Sequence, residues 1–171
     1  MMRRVLLTTV FVVLLASLAN AFQVEWFKIE PLGGGFSVMM PDKPQEGTRI
    51  GEDFSIHLFT VNAADGIYIA SYGDYAPSVH VDVDAELVAN RDNFVKGLSA
   101  KMTDSQRITI DGRAGLEFSA ENDDAVIKSR IFLFGNRVHQ IAVAITNGRS
   151  DSENVKRFFA SFTFTGVQRP K

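Results

Sequence analysis

The stretch IKSRIFLFGNRVHQIAVAIT, residues 127–146, decides the fold. Two apolar runs, Ile127 to Phe134 and Val138 to Thr146, flank the dipeptide Gly135-Asn136. Glycine as the first residue of a two-residue loop suits a type II′ turn, whose twist matches that of antiparallel strands. The stretch therefore predicts a β-hairpin.

A second hairpin is predicted upstream, where Phe54 to Asn62 and Ile67 to Ala76 flank Asp65-Gly66. An even-length loop divides their side chains between two faces: Ile56, Leu58, Ile67 and Ile69 on one, and His57, Phe59, Val61, Tyr68 and Tyr72 on the other. Both sets are apolar or aromatic. The pattern predicts a sheet that is covered on both sides.

Further strands are predicted at Phe36 to Met39, Arg107 to Ile110 and Leu116 to Ala120. Around Asp111-Gly112, a two-residue loop would place Ile108 and Ile110 on the face opposite Leu116 and Phe118. A three-residue loop with a bulge unites all four, so we expect the bulged loop. A four-residue loop is expected at 121–124.

Two segments have helical periodicity. From Asp84, the residues Leu87, Arg91, Phe94 and Leu98 recur every three or four positions; Asp82 or Asp84 is the expected N-cap and Gly97 the expected stop. Near the C-terminus, Ser150 and Glu153 match a capping box and precede Val155, Phe158, Phe159 and Phe162. This second helix is expected to bury its phenylalanines against the sheet.

The first residues have the layout of a secretory signal peptide: Arg3 and Arg4, an apolar run from Val5 to Leu18, then Ala19-Asn20-Ala21. We expect cleavage after Ala21 and an exported domain, periplasmic or extracellular, spanning 22–171. The chain has no cysteine, and its formal net charge is −2 without a basic stripe. These features argue against thiolate metal sites and nucleic-acid binding, and 22–171 contains no apolar run long enough to span a membrane.

Several motifs resemble one group of exported bacterial proteins. They include Phe36-Ser37-Val38-x-x-Pro41, Tyr72-x-Asp74-Tyr75-x-Pro77 and Ala89-x-Arg91-Asp92, then Ile110-Asp111-Gly112-Arg113-x-Gly115-x-Glu117-Phe118, Arg130-Ile131-x-Leu133-x-Gly135-Asn136-Arg137-Val138-x-Gln140 and Arg157-Phe158-Phe159-x-Ser161-Phe162. The chain resembles the PsbP, Mog1 and DcrB families over nearly all of 22–171. The resemblance and the patterns together imply a single α+β domain, in which a twisted, mainly antiparallel sheet of about six or seven strands is flanked by two main helices.

One candidate binding spot lies on the predicted sheet. The expected register pairs Glu117 with Lys128 and places Gly115 opposite Arg130, while Arg130 faces Ile141 and Phe132 faces His139. In the functional interpretation, Arg113, Arg130 and His139 surround a site for an anion or carboxylate near Glu117. The alternative is a structural ion pair between Arg130 and Glu117, with the arginine stem packed on Phe132.

The other candidate surface is a group of tyrosines, Tyr68, Tyr72 and Tyr75, with Asp74 beside them. Tyrosine offers a large contact area at low entropic cost, so such a cluster is typical of binding surfaces. Equally, Tyr68 and Tyr72 can simply cover the sheet. Tyr75 is expected to be the most exposed of the three.

No motif for catalysis or a cofactor is present: His57, His80 and His139 are dispersed, and Asp82-x-Asp84-x-Glu86 lacks the glycine and final glutamate of a calcium loop. PsbP-like relatives with known roles are accessory or binding proteins. We therefore expect a non-enzymatic protein-interaction module without metal or cofactor. The alternative is a small-ligand binder using the face around Arg130, Glu117 and His139, and a metal-dependent hydrolase ranks last.

Overall fold

The computed structural model describes residues 25–147 and 150–166; the predicted signal peptide and its cleavage site lie outside them. The strands and helices in chain order are β1 Phe27–Ile29, β2 Phe36–Met40, β3 Gln45–Ile50, β4 Phe54–Ala63, β5 Gly66–Tyr75, α1 Val83–Gly97, β6 Lys101–Ile110, β7 Arg113–Glu121, β8 Val126–Phe134, β9 Arg137–Ile145, α2 Glu153–Ser161 and β10 Thr163–Phe164. This is the predicted α+β class with two main helices.

The strands form two sheets within the described residues. The large sheet has seven strands in the order β3-β4-β5-β9-β8-β7-β6, and every neighbouring pair is antiparallel. The small sheet has the order β1-β2-β10. The prediction did not include β1, β3 or β10.

The hairpin of β8 and β9 forms as predicted. Phe132 pairs with His139 and Arg130 with Ile141. Gly135 has φ +59, whereas Asn136 is not among the residues of positive φ, as a type II′ turn requires. The hairpin of β4 and β5 also forms, with Ala63 opposite Gly66 around the two-residue loop 64–65.

The loop between β6 and β7 differs from the prediction. It has two residues, Asp111 at φ +51 and Gly112 at φ +73, which is the conformation of a type I′ turn. Ile110 pairs with Arg113, so no bulge lies at this turn; the register shift in β6 lies instead between Met102 and Asp104. The apolar residues of the two strands thus face opposite sides of the sheet, and both sides have a core to receive them.

The register between β7 and β8 also differs. The connecting loop covers 122–125 instead of 121–124, because the Asn122 side chain accepts hydrogen bonds from the N–H groups of Asp124 and Ala125. Glu117 therefore pairs directly with Arg130, and Gly115 lies opposite Phe132. The predicted pairs of Glu117 with Lys128 and of Gly115 with Arg130 are wrong.

Helix α1 begins as predicted and ends differently. The Asp82 side chain accepts the N–H of Ala85 at 2.9 Å, and Glu86 lies in the first turn, where its charge favours the helix dipole. At the other end Gly97 is still helical. The left-handed residue is Ser99 at φ +50, and its N–H and that of Ala100 bond the carbonyls of Lys96 and Val95 in a Schellman motif.

Helix α2 is capped by Ser152, whose hydroxyl accepts the N–H of Val155 at 3.3 Å, and not by the predicted capping box at Ser150. Val155 and Phe158 are buried, and so is Phe162 just after the helix. Phe159 is half-buried. The helix docks on the sheet as expected, burying two of its three predicted phenylalanines.

The two faces of the large sheet carry different cores. One, the aromatic face, packs against the small sheet and α2 through Phe36, Tyr68, Phe132, Phe158 and Phe162. The other, the α1 face, packs Leu116, Phe118, Ile127 and Ile131 under Leu87 and Val95 of the helix.

Among the strands, helix α1 packs mainly on β6, β7 and β8. Towards the opposite edge of the sheet, Leu58 and Ile67 are partly exposed, so the expected cover on both sides is incomplete. No helix among the described residues is long and apolar enough to cross a membrane.

Candidate functional site

One cleft lies where loops from both sheets meet. We call it the loop-end cleft; its volume is about 750 Å³. Its walls come from the turn after β1, the end of β5, the start of β7, the β8–β9 hairpin and the residues after β10. They include Leu32, Gly33, Asp74, Arg113, Phe134, Arg137 and His139. The cleft thus brings together three of the predicted site residues, Asp74, Arg113 and His139.

Arg137 and Asp74 form a rigid pair on one wall. Nε and Nη2 of Arg137 donate to the two carboxylate oxygens of Asp74 at 2.7 and 2.8 Å, and Nη1 donates to the carbonyl of Gly33. The guanidinium also lies 5.2 Å over the ring of Tyr72, which is buried. These bonds to Asp74 raise the pKa of Arg137. Because both charges are engaged, the pair shapes the cleft instead of offering a free charge.

His139 is buried behind this pair, with only 4% of its surface exposed. Its Nε2 lies 2.8 Å from the carbonyl of Gly34, so Nε2 bears the hydrogen and donates it. Its Nδ1 is buried and has no hydrogen-bond partner among the described residues. Burial, aided by the positive charges of Arg137 and Arg113, lowers the pKa of His139 to about 4 against the opposing effect of the Gly34 bond. His139 is therefore neutral at neutral pH.

Arg113 is the free charge of the cleft. Its guanidinium carbon lies 4.1 Å above the ring of Phe164 and 5.2 Å from that of Phe134. The guanidinium forms no hydrogen bond or ion pair with any other residue in 25–147 or 150–166. Two rings thus hold a guanidinium whose five N–H donors remain available to a ligand.

Arg130 and Glu117 lie apart from His139 in a second cleft. This side cleft, of about 360 Å³, runs between α2 and strands β6, β7 and β8. Arg130 Nε donates to Glu117 at 2.5 Å, and its guanidinium lies 5.2 Å over the ring of Phe159. Burial alone would raise the pKa of Glu117, but the bond and charge of Arg130, with help from Gln106 and Lys128, lower it. This geometry matches the ion-pair alternative.

The three tyrosines do not form one surface. Tyr68 is buried and donates to Asp65 at 2.9 Å; burial, reinforced by Asp65, raises its pKa. Tyr75 is half-buried and donates to Glu86 of α1; burial and this bond raise its pKa to about 12. Tyr75 is the most exposed of the three, as expected, but its hydroxyl holds α1 to the sheet.

Sequence reasoning missed the apolar part of the loop-end cleft. Leu32 is fully exposed at the tip of a tight turn, in which Gly34 donates to the carbonyl of Pro31 and Gly33 has φ +74. Phe134 is partly exposed, and Phe164 lies beneath Arg113. In the sequence, the signal for this apolar rim was a leucine between two turn-forming residues, Pro31 and Gly33, where a buried position is not expected. Within the part of the chain that the structure describes, no group of three or more histidines or acidic residues could hold a metal ion.

No protein-family model matches the chain, and no curated protein matches it. Among solved structures, it is similar to the solution structure of cyanobacterial PsbP (CyanoP) from Synechocystis sp. PCC 6803, with a TM-score of 0.59 and 10% identity over 88% of this chain and 98% of the other. A structure from Bacteroides thetaiotaomicron VPI-5482 matches with a TM-score of 0.42 and 17% identity over 86% of this chain and 50% of the other. The chain therefore has the PsbP-like fold that its motifs predict.

Proposed function

We propose that the protein is an exported, non-enzymatic accessory protein that binds an acidic segment of a partner protein in the loop-end cleft. One observation supports this most strongly: the guanidinium of Arg113 is stacked on Phe164 and Phe134, and no described residue neutralises it. Export is supported by the leader-like layout of residues 1–21.

The chemistry of Arg113 favours a carboxylate ligand. A planar guanidinium binds a carboxylate through two parallel hydrogen bonds, which gives direction as well as affinity. The two rings restrict the side chain before a ligand arrives, so little conformational entropy is lost on binding. Arg113 is thus arranged in advance for an aspartate, a glutamate or a chain terminus.

The shape of the cleft favours a protein segment over a small molecule. Leu32 projects fully exposed on one rim, and Phe134 is partly exposed beside Arg113. Exposed apolar side chains on both sides of a charge suit a peptide with apolar residues flanking its acidic one. A single small carboxylate would leave this apolar surface uncovered.

The charged groups of the cleft suit binding and not proton transfer. A guanidinium stays protonated and does not act as a general acid or base. The Asp74 carboxylate is held by Arg137, and His139 is neutral and tied to the backbone through Nε2. The charges of this cleft therefore fit a recognition surface.

Affinity capture from the exported proteins of the source organism tests the proposal. The bait is the protein, and Arg113→Gln is compared with Arg49→Gln, which removes an exposed arginine from β3. We expect Arg113→Gln to retain at least tenfold less of a specific partner, and Arg49→Gln to retain as much as the unmodified bait. A partner that binds Arg113→Gln equally well contradicts the proposal.

A small anionic ligand is the competing outcome of the same experiment. If no protein is captured and succinate binds in an Arg113-dependent manner by calorimetry, the cleft is a small-carboxylate site. The alternative site around Arg130, Glu117 and His139 is less favoured, because His139 lines the loop-end cleft whereas Arg130 and Glu117 line the side cleft.

A further inference from the structure

Two neighbouring rows of polar side chains cross β6, β7 and β8 on the aromatic face. Directly paired positions define both rows. The first row is Gln106, Glu117 and Arg130; the second, two residues further along each strand, is Asp104, Ser119 and Lys128. Each row contains one acidic and one basic residue, on adjacent strands in the first row and two strands apart in the second.

The first row is satisfied internally. Gln106 donates to one oxygen of Glu117 at 2.9 Å, and Arg130 donates to the other at 2.5 Å. Arg130 also donates to the carbonyl of Phe159 at 3.3 Å. Since its charges are matched and its polar atoms are bonded, this row fixes the sheet and has little left for a ligand.

The second row is open. The side chains of Asp104, Ser119 and Lys128 make no hydrogen bond or ion pair with one another or with any other residue that the structure describes, yet all three residues line the side cleft. Neighbouring strands lie about 4.8 Å apart, so the backbones that carry the carboxylate and the ammonium are separated by about 10 Å. The hydroxyl of Ser119 lies on the strand between them.

The opposite wall of the side cleft is partly apolar. Val155, Phe159 and Ala160 of α2 form its apolar part, and Ser150, Asp151 and Lys156 complete the wall. The ammonium group of Lys156 is paired with Glu153 at 2.9 Å. The volume of about 360 Å³ is at the lower end of the range for small-molecule sites. The cleft therefore offers a negative group, a hydroxyl and a positive group along its floor, and an apolar patch around Phe159 on the facing wall.

We propose that the side cleft binds a zwitterionic small molecule of the free amino acid class, with an apolar side chain. The ligand's ammonium group pairs with Asp104, and its carboxylate accepts hydrogen bonds from Lys128 and Ser119. Its side chain packs against α2 at Phe159.

The charge pattern disfavours simpler ligands. A plain anion beside Lys128 also meets the carboxylates of Asp104 and Glu117, and a plain cation beside Asp104 meets the ammonium of Lys128. Only a ligand with both charges satisfies both ends of the row. The site shares no lining residue with the loop-end cleft and does not depend on the partner proposed there.

Isothermal titration calorimetry with three related compounds tests this inference. L-leucine has both charges, L-leucinamide lacks the carboxylate, and 4-methylpentanoate lacks the ammonium group. We expect L-leucine to bind at least tenfold more tightly than either analogue. The absence of L-leucine binding at millimolar concentration, or equal binding of all three compounds, overturns the inference.

Single substitutions assign each charge. In Lys128→Met, L-leucine should bind no better than L-leucinamide, and in Asp104→Asn no better than 4-methylpentanoate. Lys101→Met, which removes an exposed lysine from the same edge strand, is the matched control and should bind as the unmodified protein does. Circular dichroism checks that each variant is folded. If Lys128→Met and Asp104→Asn leave the preference for L-leucine unchanged, the ligand lies elsewhere and the inference is wrong.

Discussion

The two faces of the seven-stranded sheet are built differently. On the aromatic face, rings from the small sheet and α2 stack on rings of the large sheet: Phe132 and Phe162 lie 5.5 Å apart and nearly parallel, and Phe158 meets Tyr68 edge-on at 5.2 Å. On the α1 face, mostly aliphatic side chains pack under a single helix that leaves one end of the sheet partly bare.

The difference explains where the candidate sites lie. The arginines found over aromatic rings, Arg113, Arg130, Arg137 and Arg157, all belong to the aromatic face or to the elements packed on it. A ring fixes a guanidinium without neutralising it. The aromatic face can therefore position charges for binding, whereas the α1 face contributes mainly to stability.

The largest expected effect is on stability, and it compares the two cores directly. Phe158→Ala removes a fully buried ring from the aromatic face and should lower the free energy of unfolding by about 4 kcal/mol; Leu87→Ala on the other face should lower it by about 3 kcal/mol. Urea unfolding followed by circular dichroism measures both. Leu32→Ala, at a fully exposed position, is the control, with a change within about 0.5 kcal/mol. A larger loss for Leu87→Ala than for Phe158→Ala would contradict the comparison.

The next effect is pH-dependent and specific to the aromatic face. The pKa of His139 is about 4 in the folded protein and near 6.5 when unfolded, so the unfolded chain binds the proton more readily between these values. The neutral His139 therefore contributes about 3 kcal/mol to the free energy of unfolding above pH 6.5, and this contribution is lost as the pH falls towards 4. His139→Gln should show a correspondingly weaker loss in urea unfolding between pH 7 and pH 4.5.

The matched control for that experiment is His80→Gln, which removes an exposed imidazole before α1. Equal pH dependence in His139→Gln and the unmodified protein would show that the buried imidazole is not responsible.

The smallest effect concerns the ion pair that joins α1 to β6. Arg107 and Asp84 lie 2.5 Å apart, but their side chains are 60% and 69% exposed. Water and salt screen such a pair, so Asp84→Asn should change the unfolding free energy by about 0.5 kcal/mol or less. Thermal unfolding at low and high salt measures this. A loss well above 1 kcal/mol would mean that the α1 face depends on charge more than its packing indicates.

The sequence predicts the elements that have strong local signals. The turn at Gly135-Asn136, the hairpin of β4 and β5, and the cap at Asp82 follow from backbone rules that act within a few residues. The strands that were missed lack such a signal. All six residues of β3 are exposed, so its sequence lacks the alternation of apolar and polar residues that identifies a strand, and β10 has only two residues.

The wrong registers have a different cause. Around Asp111-Gly112, the four apolar residues of the two strands need not share a face, because both faces of the sheet bury apolar side chains. At the next hairpin, the bonds of the Asn122 side chain place the loop one residue later than predicted. Each residue of β7 therefore pairs with a residue of β8 two positions beyond the predicted partner. Because side chains alternate between the two faces of a sheet, a shift of two positions leaves each side chain on its predicted face and changes only its partner.

The candidate site was harder to predict than the fold. The sequence identifies Arg113 and His139, but it cannot show that Phe164 returns beneath Arg113, because that contact depends on β10 pairing with β2 far along the chain. The open row of the side cleft likewise depends on the exact register, which places Lys128 opposite Ser119.

The irregularity in β6 has a consequence for the outer rim of the large sheet. Thr103 is the extra residue between Met102 and Asp104, so the row of outward amide and carbonyl groups loses its even spacing there. An extended chain that approaches this rim cannot bond continuously along it, and beyond the break it meets the exposed charges of Asp104 and Arg107. The break and these charges protect the protein against fibre-like growth from that side.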